Sequence, residues 1–414
     1  MWNRVWMVAL LWPIAAGAQE RALTLEQAIE QALREAPRIA ASTAALEASQ
    51  VAAPSAGRVP DPELVAGLDN LPIDAADRFS LTRDFMTMRK IGVMQTFPNG
   101  EKRRLQSQRA QRDIAIAEGQ LRRTRFETSR AVAEVWIARA VAEQSLARLR
   151  SLKPEAELQA NAARSALSSG RASVADALAG QMLVAGLNDR ILSLEQEAEM
   201  QRAELARWIG PDADLPLDAI PVDRQLGHAA EAIVSAVAEH APIAPAAAQL
   251  DAAKTDVELA RAEKRPDWSA EFSYAKRGPE FSDMVSLQFR IGLPLFPKYR
   301  QDPIIAGKLA TLRAQEAELD AEVRMHIAEV RAALAQWRLG RERLRQFSQD
   351  LLPLARDRSR AALASYSSGR GDLRDAVDAL AEEINLQLED IKLQASVARA
   401  WVFLDLLHDP GSTQ

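Results

Sequence analysis

Residues 268–291 read WSAEFSYAKRGPEFSDMVSLQFRI and contain two runs in which apolar and polar side chains alternate. The apolar or aromatic positions are Trp268, Ala270, Phe272 and Tyr274 in the first run and Val285, Leu287, Phe289 and Ile291 in the second. Successive side chains of a β-strand point to opposite faces of the sheet. The pattern therefore predicts two strands, each with one apolar face and one polar face.

Motifs around these strands also occur in the first half of the chain. Phe97-Pro98 returns as Phe296-Pro297, an offset of 296 − 97 = 199 residues. The same offset relates Pro154 to Pro353, Ser168–Arg171 to Ser367–Arg370, and Asp176 to Asp375. Slightly larger offsets, 205 and 206, relate Ala36-Pro37 to Ala241-Pro242 and Pro60-Asp61 to Pro266-Asp267. Four anchors at one offset indicate an internal duplication.

Each half follows the same order of elements. Residues 23–56 have apolar side chains at helical spacing, with the capping-box pair Thr24 and Gln27 at the start and a second helix beginning at Pro37. Two strands follow, in the first half over Leu64–Leu68 and Phe79–Thr96, and then a long helix, a turn and a return helix. We expect a signal peptide over residues 1–18, a first repeat over 19–210, a linker over 211–227, a second repeat over 228–408 and a frayed tail over 409–414.

The long helix of the first half is predicted to run from Glu101 to Leu167, which at 1.5 Å per residue is roughly 100 Å. Uncharged residues recur every three and four positions, and charged residues such as Arg139 lie between them, so we expect a left-handed supercoil around a narrow seam. The seam residues are Leu121, Thr124, Thr128, Ala131, Val135, Ala138, Ala142, Ser145, Leu149 and Leu152. Pro154 and Pro353 predict a bend in each half. Glu101–Arg104 is interpreted as a solvated helix start.

The composition excludes several classes of protein. The chain has 414 residues, of which 48% are hydrophobic and 5% aromatic, with four histidines and no cysteine. This profile is typical of long helices, and it excludes disulfide scaffolds, cysteine-ligated metals and thiol catalysis. The 52 basic and 57 acidic residues leave no basic patch for a nucleic acid. Because no nucleophile elbow or phosphate-binding loop is present either, we expect neither an enzyme nor a nucleic-acid-binding protein.

Residues 1–18 read MWNRVWMVALLWPIAAGA, with a positive start, an apolar run and a small-residue cleavage site at Ala16-Gly17-Ala18. This pattern predicts a cleaved secretory signal. No later segment is long and uncharged enough for a transmembrane helix, so an exported chain of this kind would cross a membrane as strands. Four strands cannot close a barrel, since small barrels need about eight. A barrel shared by several chains is the economical arrangement.

Together these motifs resemble the TolC family of outer-membrane efflux ducts, over nearly the whole mature chain. Residues 86–103 read MTMRKIGVMQTFPNGEKR and, with Pro60–Leu64, are similar to the heavy-metal (CzcC/CusC-like) branch. Residues 169–178 read SGRASVADAL and residues 366–377 read YSSGRGDLRDAV. Both segments match the hairpin tips that this family places in the periplasm.

The resemblance implies a mostly α fold with a small antiparallel β portion, in which long coiled-coil helices form a periplasmic α-barrel. Four strands from each chain would contribute to a shared twelve-stranded β-barrel in the outer membrane of a homotrimer. The implied partners are a periplasmic adaptor (membrane fusion) protein, an inner-membrane resistance-nodulation-division (RND) transporter and outer-membrane lipid, with no cofactor. The implied function is efflux of heavy-metal cations. The alternatives are a duct for drugs or other organic solutes, a type I secretion duct and, from a different class, a soluble periplasmic coiled-coil scaffold.

The candidate gate and docking residues lie in the two turns. They are Gly170, Arg171 and Asp176 in the first turn and Tyr366, Gly369, Arg370, Asp372, Arg374 and Asp375 in the second. The two glycines let the chain reverse, and the resemblance adds close approach of the adaptor. Each of Asp176 and Asp375 either stabilises a helix start or belongs to a carboxylate ring that narrows the closed end. The resemblance implies a latch of Tyr366, Asp372 and Arg374, although Gly371 stands where the heavy-metal branch carries Arg.

Three further groups of side chains are of types that occur in metal sites or at membrane interfaces. Met86, Met88 and Met94 are evenly spaced in a strand-like run, which fits either thioether ligands for Cu(I) or plain apolar filling. His228, His240, His326 and His408 show no metal-ligand spacing and are expected to be isolated. Trp268, Tyr274 and Phe281 are interpreted as an aromatic girdle at the membrane interface, the alternative being packing under a loop.

Overall fold

The computed structural model describes residues 22–227 and 229–407, so the expected signal peptide, His228, His408 and the tail lie outside the described residues. The helices are α1 (Leu25–Glu35), α2 (Pro37–Ala52), α3 (Gly100–Ser168), α4 (Val174–Ile209), α5 (Ala230–Ser235), α6 (Ala244–Ala262), α7 (Gln301–Gln346), α8 (Leu352–Ser367) and α9 (Leu373–Leu406). The strands are β1 (Glu63–Asp69), β2 (Met88–Phe97), β3 (Trp268–Lys276) and β4 (Met284–Ile291). Among these described helices, none has both the length and the apolar character required to span a bilayer.

The order of elements agrees with a duplication: two helices, two strands, a long helical segment, a turn and a return helix occur twice. The predicted run from Phe79 to Thr96 is wrong at its start, because β2 begins at Met88. Asn70, Ala75 and Phe79 of the preceding loop have positive φ angles, which an extended strand does not accommodate.

The chain forms two compact units, and each unit contains segments from both repeats. The helical unit comprises residues 22–35, 128–226 and 335–403. The sheet unit comprises residues 36–127, 227, 229–334 and 404–407, and it contains all four described strands. The boundaries of the two sequence repeats therefore differ from those of the two compact units.

The sheet has the strand order β1-β2-β3-β4, and every neighbouring pair is antiparallel. In the register, Leu64 of β1 lies opposite Val93, Val93 opposite Phe272, and Phe272 opposite Leu287. Within the described residues β1 and β4 each have one partner strand, so the sheet has two open edges.

In the helical unit, the core along α3 is broader than the predicted seam. Val132, Trp136 and Ile137 are completely buried, although the predicted three-four spacing omits them. Trp136 donates its indole N–H to the carbonyl of Leu23 at 3.2 Å, which satisfies the ring's polar atom inside the core. An apolar stripe wider than a two-residue seam is the usual pattern for a helix packed on several neighbours.

Arg139 was expected on the solvated side of α3, and the structure corrects this interpretation. Its side chain is buried, and its Nη2 donates to the carbonyl of Leu215 at 3.1 Å while Nη1 donates to that of Ala213. Glu143 pairs with its Nε at 2.6 Å. A buried guanidinium requires such partners, so Arg139 holds the start of the predicted linker against α3.

The segment just before α1 and the linker also bond directly. The N–H of Leu23 donates to the carbonyl of Pro216 at 2.8 Å, and Leu23 forms a parallel bridge with Leu217. The predicted capping box is confirmed: Gln27 N donates to Thr24 Oγ1, and Thr24 N donates to Gln27 Oε1, both at 3.2 Å. The segment after α4 is therefore an ordered part of the helical unit.

The two prolines expected to bend the long helices occupy different structures. Pro154 lies inside the continuous helix α3. Pro353 lies in the first turn of α8, directly after a π-helical turn at Phe347–Leu351 that follows α7. Because α7, the π-helical turn and α8 follow one another without a non-helical residue, both prolines lie in helical backbone and each removes a hydrogen bond. The π-helical turn directly before Pro353 is the local distortion at the second proline.

Lys102, expected in a solvated helix start, is buried in the sheet unit. Its Nζ lies 2.9 Å from Asp267 Oδ2 and 3.1 Å from Glu263 Oε2, which joins α3 to the chain just before β3. Burial alone would lower the pKa of Lys102, but the hydrogen bonds to the two carboxylates outweigh it and raise the pKa. Burial would raise the pKa of Asp267, but its bonds from Lys102 and the N–H of Asn99 lower it.

Replacing Lys102 with Met is expected to destabilise the start of α3 by about 1–3 kcal/mol, because it leaves two partly buried carboxylates without their cation. Hydrogen exchange of the amides of residues 100–106 measures this local opening. Because the pKa of Asp267 is lowered in the folded chain, its contribution to the stability of this region is present at neutral pH. That contribution is lost as the pH falls through the lowered pKa.

Arg104→Met is the matched control, since Arg104 lies two residues further along α3, is exposed, and its side chain bonds to Glu101 and Gln108 of the same helix. Exposed pairs of this kind contribute about 0.2–1 kcal/mol. Equal exchange rates in the two variants would contradict a structural role for the Lys102 cluster.

Candidate functional site

One face of the four-stranded sheet is apolar and exposed. Its residues form two adjacent rows that each cross all four strands. One row contains Leu64, Val93, Phe272 and Leu287, and the next contains Ala66, Ile91, Tyr274 and Val285. The large apolar side chains in both rows are exposed, Leu287 at 61%. An apolar surface that runs across all four strands is larger than the scattered exposed residues of an ordinary soluble protein.

The opposite face is polar and carries a buried ion network. Glu271 is only 2% exposed, and its two carboxylate oxygens accept from Lys90 Nζ at 3.1 Å and Arg290 Nη2 at 2.7 Å. Ser273, two residues further along β3, is also buried. A sheet over a soluble core has the reverse arrangement, with its apolar face buried.

Aromatic side chains lie near both ends of the apolar face. Trp268 stacks on Phe97 with ring centroids 4.2 Å apart, and Tyr274, six residues along the same strand, donates its hydroxyl to Asp283. Six strand residues span about 20 Å, close to the height of the apolar band of outer-membrane barrels. Phe281 lies in the loop after β3 and carries Arg277 against its ring, so it is not on this face.

The two turns of the helical unit have the same backbone hydrogen bonds at the 199-residue offset. Arg171 N donates to Ala166 O at 2.9 Å and Arg370 N to Ser365 O at 3.0 Å. Gly170 and Gly369 have φ angles of 71° and 70°, a conformation that glycine adopts at little cost. The predicted role of both glycines in reversing the chain is visible in this geometry.

The helix after the first turn begins with a complete capping box. Asp176 N donates to Ser173 Oγ at 3.2 Å, and Asp176 Oδ2 accepts from Ser173 N at 2.9 Å. The pKa of Asp176 is lowered by the side-chain bond from Ser173, then by the backbone bond, and to a smaller extent by the positive charge of Arg374. Of the two readings left open by the sequence, these contacts favour helix-start stabilisation for Asp176.

The second turn is capped differently. Asp372, the counterpart of Ser173, accepts a hydrogen bond at 3.1 Å from the backbone N–H of Arg374 through Oδ1. Arg374 itself is exposed and lies 3.9 Å from Asp378. Tyr366 packs against an apolar cluster formed by Ala163, Leu373 and Val377. The side chain of Asp372 therefore caps the start of α9, while the latch of Tyr366, Asp372 and Arg374 stays a prediction.

The remaining gate residues are exposed at the same turns. Arg171 and Arg370 each donate from Nε to the serine two residues before, Ser169 at 3.1 Å and Ser368 at 3.2 Å. Asp375 lies in the first turn of α9 and is exposed. The predicted residues thus fall into two equivalent clusters, one at each turn.

The three methionines considered as metal ligands do not form a cluster. Met86 lies in the loop before β2, so the expectation that it shares a strand with the other two is wrong. Met88 and Met94 share a strand face but are six residues, or about 20 Å, apart. The Sδ atom of Met94 instead lies 3.1 Å from Arg290 Nη1.

Two histidines that the sequence left isolated form a buried pair in the sheet unit. His240 Nδ1 lies 3.0 Å from His326 Nε2, with the rings nearly perpendicular, and His326 Nδ1 lies 3.4 Å from Glu329 Oε2. The residues are 86 positions apart, so spacing along the chain carries no signal for the pair. In the part of the chain that the structure describes, no group of three or more His, Cys, Asp or Glu side chains is placed to hold a metal.

Solved structures share this architecture. CusC, described as forming a transmembrane channel, matches with a TM-score of 0.76 at 15% identity, over 92% of this chain and 90% of that chain. The outer-membrane channel OprN gives 0.77 at 18% identity, over 92% and 89%. The outer membrane protein VceC from Vibrio cholerae gives 0.73 at 18% identity, over 91% and 95%. The fold is therefore that of TolC-like outer-membrane channels.

The family comparison agrees with this fold. Residues 232–408, the second repeat, match the model of the family described as outer membrane efflux protein, which confirms the family resemblance. That family consists of channel proteins, in agreement with the expectation that the chain is not an enzyme. No curated protein sequence matches the chain.

Proposed function

We propose that the chain is one subunit of a trimeric outer-membrane efflux duct that exports heavy-metal cations. The observation that carries the membrane part of the proposal is the inverted sheet, whose apolar face is exposed while Glu271 and Ser273 on its polar face are buried. Contact with lipid is favourable for an apolar surface, whereas contact with water is not. Strands whose apolar residues point outward and whose polar residues point inward are the pattern of outer-membrane barrels.

The two open edges support a barrel made from several copies. An unpaired edge leaves a row of backbone N–H and C=O groups, each of which costs several kcal/mol if it is buried in lipid without a partner. Pairing β1 of one copy with β4 of the next removes both edges. Three copies of a four-stranded sheet give twelve strands, as the family resemblance implies.

The ion network on the polar face supports a water-lined interior. Glu271, Lys90 and Arg290 place charges on the side of the sheet that would face the channel. Charged side chains are costly in lipid and acceptable in a wet lumen. Both faces of the sheet therefore favour the same orientation.

The helical turns are proposed as the periplasmic docking and gating surface. Gly170 and Gly369 produce two turns with equal backbone geometry in each chain, which suits repeated contacts with a periplasmic adaptor. The adaptor would connect the duct to an RND transporter in the inner membrane. Asp372 and Arg374 are proposed to hold the closed state through contacts between neighbouring copies.

The cargo assignment depends on the resemblance of residues 60–64 and 86–103 to the heavy-metal branch. CusC, OprN and VceC match at similarly low identities, so these comparisons do not separate metals from drugs. An organic-solute duct and a type I secretion duct remain the alternatives within transport. A soluble periplasmic scaffold is the alternative from another class, and it predicts extraction without detergent.

Leu287→Arg tests the membrane proposal. An Arg on the lipid face near the bilayer midplane costs about 2–4 kcal/mol, so we expect loss of the heat-modifiable trimer from the outer-membrane fraction. Ser286→Arg is the matched control, because Ser286 is the adjacent residue on the polar face of β4. Normal trimer levels in Leu287→Arg would argue for the soluble scaffold.

Asp372→Asn combined with Arg374→Ala tests the latch. Asn preserves the helix-capping acceptor, so the pair removes the charges while keeping the start of α9. We expect a higher single-channel conductance in planar bilayers, since the closed end loses its ionic contacts. The control is Glu204→Gln with Arg207→Ala, an exposed pair on α4. A conductance equal to that of the parent would rule out the latch.

Deletion of the gene tests the cargo. We expect increased sensitivity to heavy-metal salts and unchanged sensitivity to organic toxins, with tolerance restored by the parent chain but not by Leu287→Arg. The experiment requires a strain in which the channel is expressed and a pump and adaptor gene are present. Sensitivity to organic toxins alone would contradict the heavy-metal cargo and support the organic-solute duct.

A further inference from the structure

A layer of polar side chains interrupts the apolar core between α3 and α9 in the helical unit. Gln159 on α3 is 2% exposed, and Glu383 and Gln387 on α9 are 8% and 5% exposed. The neighbouring core residues are apolar, among them Ala156, Leu380 and Ile384, which pack in one cluster. Buried polar groups at such a place require partners.

The two helices present the same pair of residue types at the same spacing. Glu155 and Gln159 are four residues apart on α3, and Glu383 and Gln387 are four residues apart on α9. Helical side chains lean toward the N-terminus, so each glutamine points back over the glutamate of its own helix. On α9 this contact is made directly, since Gln387 Nε2 donates to Glu383 Oε1 at 2.7 Å.

The packing brings the two pairs close together. Ala163 packs with Leu373 and Val377 near the turn, and Ala156 packs with Leu380 and Ile384 further along. The helices α3 and α9 are therefore antiparallel, and Glu155 and Glu383 lie at the same level of their interface. Burial raises the pKa of Glu155, and the charge of Glu383 raises it further. Arg360 acts on Glu155 in the opposite sense but more weakly. Its side chain is mostly solvent-exposed, so its charge is largely screened.

The amide groups supply an independent observation. Neither Gln159 Oε1 nor Gln159 Nε2 has a hydrogen-bond partner among the described residues, and the same holds for Gln387 Oε1. Two buried amide oxygens are thus available, each one helical turn along the chain from Glu155 or Glu383. Without a ligand, the site would contain repelling charges and unsatisfied acceptors, both of which cost free energy.

We propose that Glu155, Gln159, Glu383 and Gln387 form a binding site for a hard divalent cation of the Mg²⁺, Ca²⁺ and Mn²⁺ class. Carboxylate and amide oxygens are the ligands that these ions prefer, and water completes their coordination. Inward-facing glutamates on neighbouring helices are a known way to hold metals in a helical bundle. The bound ion would join α3 to α9 and is a structural ion, separate from any exported cargo.

The test uses the full chain, purified in detergent, freed of lipopolysaccharide and treated with EDTA, with Mn²⁺ as the probe. Electron paramagnetic resonance measures free Mn²⁺, and we expect saturable binding of one ion per chain that Ca²⁺ displaces. Glu383→Gln keeps the shape and hydrogen-bonding capacity of the side chain, and is expected to weaken binding by at least about tenfold. Gln159→Met, which removes an amide ligand at similar volume, is expected to weaken it as well.

Glu157→Gln is the matched control, because Glu157 lies on α3 between the two ligands, is exposed and faces Lys153. It is expected to bind Mn²⁺ as the parent does. Absence of saturable binding in the parent, as expected if the carboxyl groups simply share a proton, would overturn the proposal. Equal affinity in Glu383→Gln and Gln159→Met would overturn it too. If Glu383→Gln does not fold, Gln159→Met and Gln387→Met decide the result. The assay does not depend on the efflux function.

Discussion

The apolar face of the sheet has to be covered, and a single copy of the chain leaves it exposed. Strand alternation places Val93, Phe272 and Leu287 on one side, and the register aligns them across neighbouring strands. Sliding a strand by one residue would exchange its faces, so the register and the apolar surface are determined together. The charges on the other face reinforce this register, because Glu271 on β3 is held by Lys90 from β2 and Arg290 from β4.

The helices meet a different requirement, because long helices must pack closely against one another. The core of the helical unit contains many small residues, among them Ala140, Ala163 and Ala398, which let helices pack closely and leave little side-chain volume for apolar burial. Specific polar contacts compensate for part of this lost burial. In the helical unit, Arg139 bonds to the segment after α4 and Trp136 bonds to Leu23, just before α1. In the sheet unit, Lys102 joins the start of α3 to Asp267, just before β3. Each buried cation has carboxylate or carbonyl partners from distant parts of the chain, as its desolvation requires.

Much of the fold could be predicted because its signals are local. The capping pair Thr24 and Gln27, the strands from Trp268 and from Met284, and the glycine turns all depend on residues within a few positions of one another. The errors concern long-range partners. Charge alone placed Arg139 and Lys102 in solvent, and nothing near His240 indicates a partner 86 residues away. The start of β2 was missed because apolar loop residues such as Phe79 and Phe85 extend the apparent strand pattern.

The duplication conserves backbone geometry while allowing side chains to differ, and the two turns show how. The hydrogen bonds to Ala166 and Ser365 are equivalent, so the same chain reversal occurs twice. Capping then differs: Ser173 is neutral and uses Asp176 as its reciprocal partner, whereas Asp372 brings its own negative charge to the helix start. The second turn therefore carries an additional negative charge at Asp372, besides Asp375, which is the counterpart of Asp176. In the proposed trimer, six similar turns would form one ring for an adaptor to contact. Charges at alternate turns would distinguish the two copies of the repeat. A partner that recognises the backbone geometry would contact six equivalent positions, whereas a partner or a gate that depends on the charge of Asp372 would contact three.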